Sequence, residues 1–142
     1  PASAKGLFVR LDFEGVMSQS TVWLNGVCLG GHGSGYTPFG FTLSDANVSK
    51  VVAWGERNVL AVLVDSASDD SWWYDGGGLY RNAWLTVAPP LHFGQWGVYA
   101  PSAVTGAIST DATTAPATLH PSIEVVSEVP TNAALNFTLT SV

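Results

Sequence analysis

Glycine, proline, asparagine and aspartate interrupt the apolar runs of this chain at short intervals, and no segment has a sustained helical period. Between these breaks, β-branched and aromatic residues alternate with polar ones. Val9, Leu11 and Phe13, for example, fall on one face of a strand. Many short strands without intervening helices are typical of antiparallel sandwiches rather than βαβ folds. The sequence therefore predicts an all-β protein in which one strand face meets a core.

Asn25-Gly26 is the strongest local signal in the sequence. It separates the apolar residues 21–24 from residues 27–29, and both positions of a two-residue hairpin turn require a positive φ. A hairpin is therefore predicted here. The glycine-rich residues 30–35 that follow are predicted to form a surface loop.

Cys28 is the single cysteine of the chain, which excludes an intrachain disulfide. Its thiol is predicted to be small and buried.

Further strands are predicted from apolar or alternating runs between turn residues. They cover residues 39–43, 58–65, 83–87, 96–99, 123–126 and 135–139. The run at 58–65 is almost continuously apolar, which favours a strand buried on both faces. Residues 102–118 are small and polar, so a mobile loop or linker is predicted there. A module boundary is expected between Pro89 and Gln95.

Charge and composition exclude several classes of partner. The chain has 5 Lys and Arg against 11 Asp and Glu, so its net charge of -6 offers no basic surface to nucleic acid or to anionic membranes. No apolar run approaches the roughly 20 residues that span a bilayer. His32, His92 and His120 are widely spaced without cysteine or clustered carboxylates, so neither a metal site nor a cofactor is predicted. The cellular compartment stays open.

Several motifs in a fixed order resemble the sugar-binding jelly-roll domain of glycoside hydrolase family 2. They are residues 12–16 (Asp-Phe-Glu-Gly-Val), 22–26 (Val-Trp-Leu-Asn-Gly), 35–39 (Gly-Tyr-Thr-Pro-Phe), 58–62 (Asn-Val-Leu-Ala-Val), 73–82 (Trp-Tyr-Asp-Gly-Gly-Gly-Leu-Tyr-Arg-Asn), Trp84-Leu85, His92 and 96–98 (Trp-Gly-Val). Each motif is weak alone, and their common order makes the resemblance specific.

The resemblance implies a domain organisation. Residues 1–92 would be the sugar-binding jelly-roll (galactose-binding-like) β-sandwich without its N-terminal part, and residues 93–142 would begin an immunoglobulin-like sandwich. In this family a (β/α)8 barrel with two catalytic glutamates follows, and that barrel would be a partner of this chain. A chain incomplete at both ends is expected to leave strand edges unpaired, through which oligomers could form.

No catalytic residue is predicted in this chain. Retaining glycoside hydrolysis needs two carboxyl groups about 5 to 5.5 Å apart, one as acid/base and one as nucleophile. Asp69, Asp70 and Asp75 are the only tempting carboxylates, and neighbouring positions on one strand or loop tend to point apart. We therefore interpret them as solvated or ligand-contacting.

Candidate carbohydrate-binding residues lie together in one short segment: Asp70, Ser71, Trp72, Trp73 and Tyr74. Aromatic faces stack on the apolar side of a sugar ring, while Asp and Ser form hydrogen bonds with its hydroxyls. A competing interpretation, favoured for Trp73, is that Trp73 and Tyr80 pack the sandwich core. Trp72 is then the residue expected to be exposed.

By resemblance, the loop before Trp73 reaches the galactose site of the barrel in some family members. Galactosidases often have Ser-Arg-Trp-Tyr there, and this chain has Ser71-Trp72-Trp73-Tyr74. The difference removes a guanidinium that could bind sugar hydroxyls and leaves Asp70 as the remaining polar contact, so galactose, glucuronate and mannose all stay open. Arg81 is interpreted as structural, since a lone Arg in such a sheet more often pairs with a carboxylate.

Three functions are consistent with the sequence. The leading hypothesis is a non-catalytic accessory fragment of a β-galactosidase-like enzyme that shapes the rim of the barrel's active site and meets a β-galactoside-like sugar. An independent carbohydrate-binding module is the first alternative, because jelly rolls serve both roles. A structural or adhesive sandwich with buried Trp residues is the second.

Overall fold

The computed structural model describes residues 1–45, 47–67, 76–106, 115–127 and 129–138. The chain divides into two compact units, Pro1–Pro89 and Pro90–Val142. The described residues form a 3-10 turn at Ala2–Ala4 and the strands β1 (Phe8–Phe13), β2 (Val16–Met17), β3 (Ser20–Leu24), β4 (Val27–His32), β5 (Phe39–Thr42), β6 (Leu60–Val64), β7 (Gly78–Leu79), β8 (Ala83–Ala88), β9 (Leu91–Tyr99), β10 (Ser102–Val104), β11 (Ala117–Leu119) and β12 (Ser122–Ser127). All pairings among these strands are antiparallel, which confirms the predicted all-β class. Nowhere in the described ranges is there a helix long and apolar enough to cross a bilayer.

The first unit contains two three-stranded sheets, ordered β5-β1-β8 and β4-β3-β6. Their central strands form the hydrophobic core: Val9, Leu11 and Phe13 of β1 cluster with Val22 and Leu24 of β3, and all five are buried. The alternation in β1 therefore predicts the buried face correctly. Apolar faces of two sheets that bury each other are the basis of a β-sandwich.

The other face of β1 is polar and only partly open to solvent. Arg10 Nε donates a hydrogen bond to Asp12 Oδ1 at 2.8 Å, and the two side chains are 26% and 13% exposed. Gly40 on β5 lies opposite Asp12, and a β-carbon there would overlap the carboxylate. The glycine thus leaves room for the ion pair on the sheet surface.

The predicted hairpin is confirmed. Asn25 and Gly26 have φ values of 49° and 83° and join β3 to β4. The Asn25 amide also donates to the Val51 carbonyl and to Asn58 Oδ1, both at 2.8 Å, while its Oδ1 accepts from the Val59 amide at 2.8 Å. The turn is therefore tied to the segment that leads into β6.

The loop predicted at residues 30–35 is wrong over its first part. Gly30, Gly31 and His32 belong to β4 and pair with Val22, Thr21 and Ser20, respectively. A β-carbon on Gly31 would lie 2.7 Å from the Ser20 carbonyl oxygen, and one on Gly30 would lie 3.0 Å from the Phe41 ring. Glycine is needed here because neighbouring groups approach the backbone closely. A run of glycines in the sequence looks the same whether it serves this purpose or forms a flexible loop.

Two burial predictions are also wrong. Cys28 is exposed, because it lies opposite Trp23 on the face of the sheet that points away from the core, whereas the next residue, Leu29, packs against the core. The strand predicted at 58–65 is present as β6, but Leu60 and Leu63 are 43% and 58% exposed. A continuous apolar run fits a doubly covered strand, yet nothing in the sequence specifies whether a second layer covers it.

The second unit is built from two strand pairs, β9 with β12 and β10 with β11. The predicted strand at 123–126 is confirmed within β12, whereas β9 begins at Leu91, earlier than residue 96. The linker expected at 102–118 is wrong at its ends, since these pair as β10 and β11, while residues 107–114 lie outside the described ranges. Residues 131–138 form no regular strand, so the strand expected at 135–139 is wrong over its described part.

Candidate functional site

All five sequence-predicted sugar-binding residues lie outside the described part of the chain, which omits residues 68–75. These residues are Asp70, Ser71, Trp72, Trp73 and Tyr74. Asp69 and Asp75 lie in the same omitted segment. The assignment therefore stays a prediction, and the described residues that flank this segment define where it is anchored.

The two flanks of residues 68–75 lie next to each other on the first unit. A β-carbon on Gly77 would lie 2.6 Å from Ser66 Oγ, so the chain before and after the segment is in near contact. β7 follows at once and pairs with β2, with Met17 opposite Gly78. The segment thus starts and ends at one place beside β2.

A pocket of about 310 Å³ lies at this place. The described residues that line it are Met17, Tyr36, Gly76, Gly77, Gly78 and Tyr80. Its volume is at the lower end of the roughly 300–1,000 Å³ typical of small-molecule sites. Tyr36 and Tyr80 are 62% and 50% exposed, so both rings present surface to solvent.

Tyr80 connects two walls of the pocket. Its hydroxyl donates to the Gly35 carbonyl at 2.7 Å, which fixes the ring beside the backbone that carries Tyr36. A β-carbon on Gly15 would lie 2.9 Å from the Tyr80 ring, so the ring packs directly on main chain. The competing interpretation, in which Tyr80 packs the sandwich core, is wrong for this residue, because the side chain is half exposed. Half-exposed tyrosines of this kind suit a wet binding surface.

Arg81 stacks on the Tyr80 ring, with its guanidinium carbon 5.2 Å from the ring centroid. The sequence predicted a structural role through a carboxylate partner. In the structure an aromatic ring is the contact described for this side chain. A cation within about 6 Å of a ring centroid is attracted to the ring face, so Arg81 stabilises the position of Tyr80 in the pocket lining.

The loop that carries Tyr36 is held at both ends by aromatic packing. His32 and Thr37 form a 2.8 Å hydrogen bond across the loop. The Phe39 ring stacks on His32 with centroids 4.6 Å apart and on the core residue Phe13 with centroids 5.1 Å apart. The position of Tyr36 is therefore linked to the sandwich core. Sequence reasoning missed Tyr36 and Tyr80 as pocket residues, although both lie in motifs that carried the family resemblance.

The chemistry available in the described lining is contact rather than catalysis. The six lining residues carry two phenol hydroxyls, a thioether and glycine main chain, and none of the six has a carboxylate. Within the described ranges no group of three or more His, Cys, Asp or Glu side chains is arranged to hold a metal ion. Phenol rings and main-chain amides can stack on a ligand ring and hydrogen-bond its hydroxyls.

Comparison with known proteins gives consistent matches over about two thirds of the chain. A β-galactosidase of Bacteroides ovatus is 44% identical over 95 residues, which cover 66% of this chain and 11% of that protein. A β-glucuronidase of Formosa agariphila is 34% identical over 105 residues, covering 65% of this chain and 10% of that protein. This chain therefore spans only about a tenth of the length of these relatives. No family model matches it.

Solved structures give the same result. A β-glycosidase from Bacteroides vulgatus superposes with a TM-score of 0.70 and 32% identity, covering 91% of this chain and 15% of that one. A glycosyl hydrolase family 2 member from Bacteroides cellulosilyticus superposes with a TM-score of 0.66 and 32% identity, covering 72% of this chain and 14% of that one. Sequence and fold thus point to the same group of proteins.

Proposed function

Because the chain is a relative of glycoside hydrolase family 2, we propose that it is the non-catalytic, sugar-facing accessory part of a β-galactosidase-like glycosidase. The observation that carries this proposal is the 44% identity over 95 residues to a β-galactosidase of which the chain covers only 11%. Such an enzyme would hydrolyse terminal β-glycosides in carbohydrate metabolism with carboxylates supplied by a barrel domain.

The pocket beside residues 68–75 supports a contact role. It offers the Tyr36 and Tyr80 rings with no carboxylate among its described lining residues. Asp70 and Trp72, on the segment anchored there, would add a hydrogen-bond acceptor and a stacking ring for a β-galactoside-like sugar. The barrel domain is the proposed protein partner, because the chain spans only about a tenth of its relatives' length and the described residues that line the pocket include no carboxylate.

Two measurements on the purified chain test this proposal. The chain alone should release no nitrophenol from nitrophenyl β-galactoside or β-glucuronide, because the proposal places the catalytic carboxylate pair in the barrel. Methyl β-galactoside at millimolar concentration should quench tryptophan fluorescence saturably in the wild type, weakly in Trp72→Ala, and normally in the control Trp84→Phe. Hydrolysis by the chain alone, or a response independent of Trp72, would overturn the assignment.

An independent carbohydrate-binding module differs from this proposal only in needing no partner. In the same sugar titration it predicts tight binding by the isolated chain, whereas an accessory part is expected to bind weakly until a barrel completes the site.

The adhesive alternative assumed buried Trp residues. Trp84 and Trp96 are 53% and 86% exposed, which argues against that assumption.

We also propose that the isolated chain self-associates through β8. In the described structure β8 is an outer strand, and none of its residues is charged, although charges usually protect such edges. Leu85 and Val87 are 58% and 43% exposed and line an apolar cavity of about 240 Å³. Sedimentation velocity should show a concentration-dependent dimer that Leu85→Lys abolishes. A monomer at all concentrations would exclude this pairing.

A further inference from the structure

Asn25 is the only asparagine in the sequence that precedes a glycine. In such a pair the amide nitrogen of the glycine can attack the side-chain carbonyl carbon of the asparagine, because the second residue has no side chain to obstruct the approach. Gly26 is exposed, and a β-carbon on it would meet nothing within 4 Å. The β3–β4 turn therefore combines a reactive pair of residues with an open position at the surface.

The reaction of this pair is deamidation, and water is its co-reactant. The Gly26 nitrogen bonds to Asn25 Cγ while the bond from Cγ to Nδ2 breaks. The proton of the attacking amide passes through solvent to Nδ2, which leaves as ammonia. Water then opens the cyclic imide at either of its carbonyls. One opening gives aspartate, and the other gives isoaspartate, in which the main chain runs through the former side chain and gains a methylene.

The folded chain holds the reacting carboxamide in hydrogen bonds that the reaction must break. Asn25 Nδ2 donates to the Val51 carbonyl and to Asn58 Oδ1, and Asn25 Oδ1 accepts from the Val59 amide, each at 2.8 Å. The main-chain amide of Asn25 also donates to the Val59 carbonyl at 2.8 Å. Ring closure requires the side chain and main chain of Asn25 to turn towards Gly26, and loss of ammonia removes the Nδ2 donor. Reaction therefore requires the turn to separate from residues 51–59.

The products cannot rebuild these bonds. A carboxylate at position 25 has no hydrogen to donate, and it would face the Val51 carbonyl and Asn58 Oδ1, which are both acceptors. Isoaspartate would also lengthen the main chain at a turn position whose φ is 49°. The lost bonds are those that join the turn to the segment leading into β6. Modification should therefore loosen one edge of the β4-β3-β6 sheet.

We propose that Asn25 is a gated deamidation site: the closed fold suppresses the reaction, opening of residues 51–59 permits it, and the product keeps this edge loosened. Asn58 controls the opening, because its side chain joins Asn25 to the preceding turn. Its Oδ1 also accepts from the Ala53 amide at 2.8 Å, and its Nδ2 donates to the Ala53 and Glu56 carbonyls at 2.9 and 3.2 Å. This inference is independent of the proposed sugar contacts.

Peptide mapping by mass spectrometry, after incubation of the full chain at mildly alkaline pH, measures the reaction at each asparagine. Asn25 should react at least roughly tenfold more slowly in the folded chain than in the same chain unfolded in urea, because opening costs several hydrogen bonds. In urea Asn25 should react before Asn82, which precedes alanine. Equal rates at Asn25 in the folded and unfolded chain would overturn the proposal, and this comparison needs no variant.

Asn58→Ala is the decisive variant. It removes one acceptor of the Asn25 amide together with the bonds to residues 53 and 56, and should raise the rate at Asn25 roughly threefold to tenfold. Thr37→Ala, which breaks the 2.8 Å bond to His32 in another exposed loop, is the matched control and should leave the rate unchanged. An unaltered rate in Asn58→Ala, or equal acceleration in Thr37→Ala, would contradict the proposal.

The modified wild-type chain tests the consequence of the reaction. Ion exchange separates it from the unmodified chain, because deamidation adds a negative charge. Hydrogen exchange of the purified product should be faster in β6 and unchanged in β1. Unchanged exchange in β6 would show that the carboxamide bonds do not hold this edge, and would contradict the proposal.

Discussion

The two units share one secondary structure and differ in burial. In the first unit Phe13, Val16 and Val22 each retain less than 2% exposure. In the described part of the second unit no side chain is buried, and Phe93 and Val98 are 57% and 60% exposed. Antiparallel pairing alone therefore does not make a core. Two apolar faces must meet, because burial of apolar area is the dominant favourable term in folding.

The largest expected effect tests this contrast directly. Phe13→Ala should lower the free energy of unfolding by about 3–5 kcal/mol, because it removes a fully buried ring and leaves a cavity. Phe93→Ala in the second unit removes the same group from an exposed position and should cost less than about 1 kcal/mol. Urea denaturation followed by circular dichroism measures both. Equal losses in the two variants would break the comparison.

The next effect concerns the polar face of the same strand. Asp12→Ala should cost about 1.5–3 kcal/mol, because it removes the carboxylate partner of the Arg10 guanidinium in a partly buried position and leaves the long 3.5 Å hydrogen bond to Thr42. Glu56→Ala removes an equally charged but exposed side chain and serves as the control. Urea midpoints of the two variants are compared at one pH. A loss for Asp12→Ala no larger than that for Glu56→Ala would show that the pair is fully solvated.

A smaller effect is expected at the hairpin that closes the first unit. Asn25→Ala removes the side-chain bonds to Val51, Asn58 and Val59 and places alanine at a φ of 49°, which together should cost about 1–2 kcal/mol. Hydrogen exchange should show faster opening of β6 than of β1 in this variant. An equal loss of hydrogen-exchange protection in all strands of the first unit would mean that the turn does not stabilise β6 locally.

The smallest effect distinguishes the core of the first unit from its edge. Cys28→Ser should change the free energy of unfolding by no more than about 0.5 kcal/mol, since the thiol is exposed. The thiol of the wild type should also react rapidly with a chromogenic disulfide reagent without denaturant. A slow reaction, or a destabilisation comparable to that of a core variant, would mean that Cys28 is buried, as the sequence predicted.

These examples show which parts of the fold were readable from the sequence. The Asn25-Gly26 turn and the buried face of β1 were predictable, because positive φ and side-chain alternation are local properties. The burial of Cys28 and of residues 58–65 was not, because it depends on which face of each strand is covered by other parts of the molecule. Gly30 and Gly31 suggested a loop, while their actual role is to admit the Phe41 ring and the Ser20 carbonyl.

The candidate site shows the same limit. Residues 70–74 were chosen for their chemistry, and the described structure leaves that choice as a prediction. Tyr36 and Tyr80 were overlooked because they are more than forty positions apart, and tertiary contacts such as the hydrogen bond from Tyr80 to Gly35 bring their surroundings together. The exposure of Trp96 was not predicted either. Four residues of β9, with Trp96 among them, lie opposite one residue of β12 at a bulge, and such a bulge cannot be recognised from the local composition.

The near contact of Ser66 with Gly77 has an evolutionary consequence. A segment that leaves and re-enters the scaffold at one point can gain or lose residues without displacing any strand, and the entropic cost grows only slowly with added length. Natural variation, or a designer, could therefore interchange this segment as a cassette, which under the proposed function would change the ligand preference. The sandwich beneath it would keep its register throughout.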